Sequence, residues 1–94
     1  MTLSQSETST GALQDLEAIA NVVSRYPDTL LLVDSVTGVG GVETRPDEWG
    51  VDFILTGSQK AMALPPGLAF GVASEAMLER SAVAPAKGDR KSVV

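Results

Sequence analysis

The sequence predicts an α/β protein, a partial and mostly parallel sheet flanked by helices. Two apolar runs carry that prediction. Leu30-Leu31-Leu32-Val33 is unbroken rather than alternating, as in a strand covered on both faces, and Val51 to Leu55 repeats the pattern with Asp52 as its interruption. Between them Ser35–Gly50 is long enough for a parallel crossover, which takes at least about a dozen residues. A helical period just ahead of the first run completes the pattern of strands and helices.

Taken in order, Met1–Gly11 is polar and ends in Ser6-Glu7-Thr8-Ser9-Thr10-Gly11, which reads as a hydroxyl-rich loop. Leu13, Leu16, Ile19, Ala20 and Val23 then fall on one helical stripe, predicting a helix over about residues 12–25. Asp15 and Glu17 suit the positive end of its dipole, and Tyr26-Pro27-Asp28 makes the turn out. In the crossover, Gly38, Gly40, Gly41 and Pro46 argue against a long regular helix. Pro65-Pro66-Gly67 marks a sharp turn before a third strand at Leu68–Ala73, and Glu75–Ser81 reads as a short helix with Ser74 as its N-cap. Asp89–Val94 has no apolar period and matches one reading frame of a sequencing-library adapter. We expect it to be a non-native tail and leave it out of the fold.

Composition narrows the chemistry. The 94 residues contain no His and no Cys, which excludes a Ser-His-Asp triad, a thiolate nucleophile and a Cys/His zinc site. Seven basic against twelve acidic residues, a net charge of −5, argue against binding nucleic acid or an anionic membrane through charge. With no long apolar run and no signal-peptide pattern, the expected location is the cytoplasm.

In parallel α/β sheets ligands bind beyond the carboxyl ends of the strands. Two residues fall there: Asp34, ending the first run, and Lys60, in Gly57-Ser58-Gln59-Lys60 past the second. Each has an ordinary reading, the Asp as a turn cap and the Lys as a surface charge. A strand ending in Asp also resembles the magnesium-binding strand of P-loop NTPases, but the GxxxxGK[ST] loop that reading requires is absent.

Four segments in order give the pair its context: ETSTG at Glu7–Gly11, LLLVDSV at Leu30–Val36, GVDFILTGSQKA at Gly50–Ala61 and LPPGLAF at Leu64–Phe70. In these segments and in the spacing from Asp34 to Lys60, the chain resembles the class V aminotransferases. These are pyridoxal-phosphate (PLP) enzymes of fold type I, and the resemblance is strongest to the alanine/serine–glyoxylate branch. It implies a fragment of the large PLP-binding domain, residues 1–88, with Met1 on a strand of that domain and the chain truncated at both ends.

The resemblance also implies roles. Lys60 would form the Schiff base with the cofactor aldehyde and, once displaced, act as general base. Asp34 would pair with the pyridine nitrogen and keep it protonated. Val36 is placed against the ring face, with an ordinary core valine as the alternative. Gln59 would help hold the phosphate, with Ser58 a weaker candidate. Thr8 resembles the residue that hydrogen-bonds the cofactor's 3′ oxygen, although Ser9 could be the aligned hydroxyl and either could simply cap the turn. Cysteine desulfurases of the class typically carry His before the lysine, so Gln59 favours transamination over sulfur transfer.

The implied parent is a homodimer acting on amino acid and 2-oxo acid substrates. The phosphate loop, the stacking aromatic, the substrate-carboxylate Arg and the partner subunit's contacts would lie outside this stretch. We therefore expect the isolated chain to be marginally stable and inactive, because it leaves strand edges unpaired while ordering costs about 1–2 kcal/mol per residue. The competing reading is a non-catalytic α/β binding module that keeps the strands without the chemistry.

Overall fold

A computed structural model describes residues 1–84, so the expected tail at 89–94 lies outside the described residues. The elements run β1 (Thr2–Ser4), α1 (Leu16–Val23), β2 (Leu32–Asp34), α2 (Pro46–Trp49), β3 (Phe53–Gly57), β4 (Ala69–Ala73) and α3 (Glu75–Val83). The strands lie side by side in sequence order as one four-stranded sheet. β1, β2 and β3 are parallel, and β4 turns back antiparallel to β3. The carboxyl ends of the first three strands and the start of β4 therefore share one edge. Among the described residues no helix is long and apolar enough to cross a membrane.

The core sits between α1 and one face of the sheet. Leu16, Ala20 and Val23 from the helix pack with Leu31, Val33, Val51 and Ile54, and Leu3, Ile19, Val39 and Trp49 close its margin. The other face carries Thr2, Ser4, Leu32, Asp34, Phe53 and Leu55 around an open depression of about 360 Å³. The strand expected to be covered on both faces is thus sealed on one, among the described residues. Leu31 and Val33 are fully buried while Leu32 is half-buried and Leu55 is 38% exposed.

Several boundaries differ from the sequence reading for physical reasons. Residues 2–4, polar in sequence but expected from the resemblance to begin on a strand, form β1, because the three-residue strand needs little apolar pattern when a neighbour supplies its ladder. The first helix begins at Leu16 rather than near residue 12. Asp15 is its N-cap, accepting the Ala18 N–H at 3.1 Å, and Ala12 and Gln14 instead pair with Glu7 and Gln5. Leu13 accordingly lies outside the buried stripe and is 56% exposed. The crossover holds only the one-turn α2, with Pro46 at its start and Gly50 in the left-handed region (φ 74°) at its end. The Ser74 cap of α3 forms as expected, accepting the Met77 N–H at 3.1 Å.

Asp52, the interruption in the second apolar run, has a structural task at the opposite edge from Asp34. Its carboxylate accepts the Leu31 N–H at 2.8 Å and the Ser74 hydroxyl at 3.0 Å. It ties the entry to β2, the entry to β3 and the cap of α3 together.

Candidate functional site

The strand alternation decides what faces where. Ser4, Asp34 and Leu55 stand in register across β1, β2 and β3. One residue further on come Gln5, Ser35 and Thr56, which point to the opposite, helix-covered face. The ladder continues through this row, with the Gln5 N–H donating to the Asp34 carbonyl and the Ser35 N–H to the Leu55 carbonyl, both at 2.9 Å. Gln5, Ser35 and Thr56 are buried, and with Ser58 they are the buried polar side chains of the described residues. All four gather at the ligand edge, where the core changes from apolar to polar.

Asp34 ends β2 on the open face, exposed, with Oδ1 accepting the Val36 N–H at 3.1 Å. Its Oδ2 makes no hydrogen bond among the described residues. Val36 is half-buried, and its carbonyl accepts from Thr56 Oγ1 at 3.4 Å. The turn at residues 34–36 is therefore fastened from β1 and β3 alike.

Lys60 is exposed in the loop beyond β3 and forms no salt bridge among the described residues. That loop is tightly closed. The Ser58 N–H donates to the Leu68 carbonyl at 3.0 Å, the Leu64 N–H to the Ser58 carbonyl at 2.9 Å, and the Ala63 N–H to the Lys60 carbonyl at 2.9 Å. Ala63 takes a left-handed conformation, φ 56°, uncommon for a residue with a Cβ. The loop also meets the one that follows Asp34, since a methyl group built on Gly41 would lie 3.2 Å from Ala61 Cβ. The loop that follows Asp34 and the loop that carries Lys60 thus meet at one edge, through Gly41 and Ala61.

The remaining candidates divide. Gln59 folds its side chain back over Gly57, where a Cβ would come within 2.7 Å of Oε1, so the missing side chain of Gly57 is the space that the carboxamide uses. Ser58 is fully buried, donates its hydroxyl to the Pro65 carbonyl at 2.6 Å and accepts the Leu68 N–H at 3.3 Å. Both of its donors are engaged inside the loop. In the first loop, Glu7 accepts both the Ser9 N–H at 3.2 Å and the Ser9 hydroxyl at 3.0 Å, which holds its carboxyl below the usual carboxylate range, the backbone bond contributing most. Ser9 is committed to Glu7, while the Thr8 hydroxyl makes no hydrogen bond among the described residues.

The sequence reading missed Gln5, Thr44 and Thr56 and gave Ser35 no part. Ser35 Oγ donates to Gln5 Oε1, and Gln5 Nε2 approaches Thr44 Oγ1 at 3.4 Å. A wider hollow of about 660 Å³ between α1 and α2, lined by Asp15, Glu17, Asp47 and Glu48 among others, contains neither Asp34 nor Lys60. Size alone does not mark the site.

An acid at a strand end and an amine in the adjoining loop lie at the carboxyl edge of an α/β sheet, where ligands of such sheets bind. Comparison with known proteins gives the family. The profile of "Aminotransferase class-V" matches residues 1–93, and the chain belongs to that family. It is 47% identical over 74 residues to the serine–glyoxylate aminotransferase of Arabidopsis thaliana, covering 78% of this chain and 18% of that protein. It is 50% identical over 68 residues to a protein of a Synechococcus strain named as the small subunit of a soluble hydrogenase, covering 72% and 18%. Among solved structures, an alanine–glyoxylate aminotransferase from a Nostoc species superposes with a TM-score of 0.84 at 40% identity, covering 92% of this chain and 22% of that one. The chain spans about a fifth of the length of these relatives.

Proposed function

We propose that this chain supplies the cofactor-holding centre of a PLP-dependent aminotransferase that moves an amino group from alanine or serine to glyoxylate or a similar 2-oxo acid. The observation that carries the proposal is the contact between the loop bearing Lys60 and the loop following Asp34 at one sheet edge. The donor set suits PLP: an amine for its aldehyde, a carboxylate with a free oxygen for its ring nitrogen, and a carboxamide resting on a glycine for its phosphate. On this reading residues 1–88 belong to the PLP-binding large domain of a cytoplasmic homodimer.

When bound, PLP supplies an electron-withdrawing ring that spreads the electron pair left at the substrate Cα. The chain's residues do the rest. Lys60 Nζ would hold the cofactor through its aldehyde and, once displaced by the substrate amine, would move the proton from Cα to C4′, which requires a fraction of the amine to be unprotonated. Asp34 Oδ2 would accept from the ring nitrogen in a charge-assisted hydrogen bond, while Oδ1 stays on the Val36 N–H and fixes the carboxylate plane. Val36 would lie against the ring face. Gln59 would donate to the phosphate, and Ser58 would serve it by shaping the loop, its donors being engaged. Thr8, whose hydroxyl is uncommitted among the described residues, would donate to the 3′ oxygen.

The test is reduction of the PLP-loaded full-length protein with borohydride followed by peptide mass analysis. The label is expected on Lys60, and Lys60→Ala is expected to lose it together with about 10²–10⁴-fold in turnover, the usual share of a general base. A label on another lysine, or none, refutes the proposal and leaves the binding-module reading.

A further inference from the structure

Gln5 has no part in the proposed chemistry, yet it is buried to 2% exposure directly behind Asp34. Its backbone N–H donates to the Asp34 carbonyl at 2.9 Å, and its side-chain Oε1 accepts from Ser35 Oγ. Ser35 is fully buried. The Ser35 carbonyl in turn accepts the N–H groups of Gly38 and Val39, both at 3.1 Å. The backbone at Gly38 passes so close over the pair that a Cβ there would lie 2.5 Å from Ser35 Oγ and 2.6 Å from Gln5 Oε1.

An apolar side chain at position 5 would extend the Leu3–Val33–Ile54 face and avoid the cost of desolvating a carboxamide, about 1–3 kcal/mol when its bonds are imperfect. The polar pair instead fixes one thing, the direction in which the chain leaves β2. Asp34 and Val36 flank Ser35, so the grip on Ser35 sets where the Asp34 carboxylate and the Val36 side chain stand. Resting on the PLP reading above, we propose that Gln5, through Ser35, is a positioning residue that aims Asp34 at the ring nitrogen and Val36 at the ring face.

The experiment uses the full-length protein as wild type, Gln5→Met, which keeps side-chain length and removes the amide, and Ser35→Ala. Two quantities are read: the dissociation constant of PLP from fluorescence titration of the apo-protein, and the pH midpoint of the bound cofactor's visible band. A ring nitrogen held protonated withdraws electrons and lowers the proton affinity of the nitrogen linked to Lys60. Loosening Asp34 should therefore raise that midpoint. Each variant is expected to weaken PLP binding roughly threefold to tenfold, the size of one neutral hydrogen bond, and the double variant to add little to either.

A purely structural pair would lower the melting temperature of the apo-protein and leave the midpoint where it was. An unchanged midpoint and dissociation constant in folded Gln5→Met and Ser35→Ala overturns the proposal. So does failure of both variants to fold, and Ser35→Ala decides alone if only Gln5→Met fails. Failure of the underlying reading looks different, since wild type would then show no visible band or would keep it in Lys60→Ala.

Discussion

Replacing Asp52 by Ala removes one side chain that serves three elements, and its cost can be worked from the contacts. The Leu31 N–H, on a residue with no exposed surface, loses its acceptor at 2.8 Å, and the Ser74 hydroxyl loses its own at 3.0 Å. A buried N–H left without a partner costs about 1–3 kcal/mol, and a hydrogen bond to a charged acceptor contributes about 1.5–3 kcal/mol. Water reaches half-buried Asp52 and replaces part of the second bond, so the sum expected for Asp52→Ala is about 2–4 kcal/mol. Ser74→Ala, which keeps Asp52 on Leu31 but removes the α3 cap, should cost about 0.5–2 kcal/mol. Urea unfolding of the full-length protein measures both, and amide exchange localises the effect. Exchange at Leu31 should quicken by roughly ten- to a hundredfold in Asp52→Ala and much less in Ser74→Ala. Wild-type stability in Asp52→Ala with unchanged exchange at Leu31 would refute the assignment and reduce Asp52 to a surface charge at a strand entry.

Two further outcomes follow from the ligand edge. Gly57→Ala should fold nearly as well as wild type, because the Gln59 oxygen that its methyl would meet at 2.7 Å is the free end of a flexible side chain. The displaced carboxamide should weaken PLP roughly threefold to tenfold and leave unphosphorylated pyridoxal unaffected; equal weakening of both would dissociate Gln59 from the phosphate. In the first loop, the lowered Glu7 carboxyl means that the Glu7–Ser9 turn is favoured above the ordinary carboxylate range and is lost only as pH falls through the lowered value. Ser9→Ala keeps the larger, backbone cause and removes the hydroxyl, so a carboxyl NMR titration should move Glu7 part of the way up, and no movement would contradict the hydrogen-bond account.

How much of this the sequence disclosed depends on which interaction set each feature. Strands β2 and β3 were legible because burial selects apolar runs, β4 because an apolar stretch follows the Pro65-Pro66-Gly67 turn, and the α3 cap because a serine before a helix has a local partner three residues on. β1 was not legible from residue pattern alone. Thr2-Leu3-Ser4 has one inward apolar residue, and its state is fixed by the ladder to Leu32–Asp34, which lies some thirty positions away. The start of α1 was misplaced for a related reason. Leu13 fits the helical stripe, but Ala12 and Gln14 take hydrogen bonds with Glu7 and Gln5 that compete with the helix. Asp52, by contrast, was visible as an anomaly in an apolar run and became intelligible once Leu31 and Ser74 were seen to converge on it.

The candidate site shows the same division. Asp34 and Lys60 stood out as candidates because they follow strands at the carboxyl edge of the sheet, whereas Gln5, Ser35 and Thr56 read as three unrelated polar residues in loops or at a strand end. Register makes them one feature. Each stands two residues beyond an inward apolar side chain, Gln5 after Leu3, Ser35 after Val33 and Thr56 after Ile54, so the same face of the sheet changes from core to polar in one step across three parallel strands. A row of this kind adds little net stability, since a neutral hydrogen bond contributes only about 0.5–1.5 kcal/mol after desolvation. It gives direction instead. Apolar contacts of the α1 face tolerate small shifts, but the donor on Ser35 and the acceptor on Gln5 accept few geometries, and the turn from Asp34 to Val36 hangs from them. On the PLP reading, the pair would constrain the sheet edge where the Asp34 carboxylate points, while the apolar burial lies one row back, at Leu3, Val33 and Ile54.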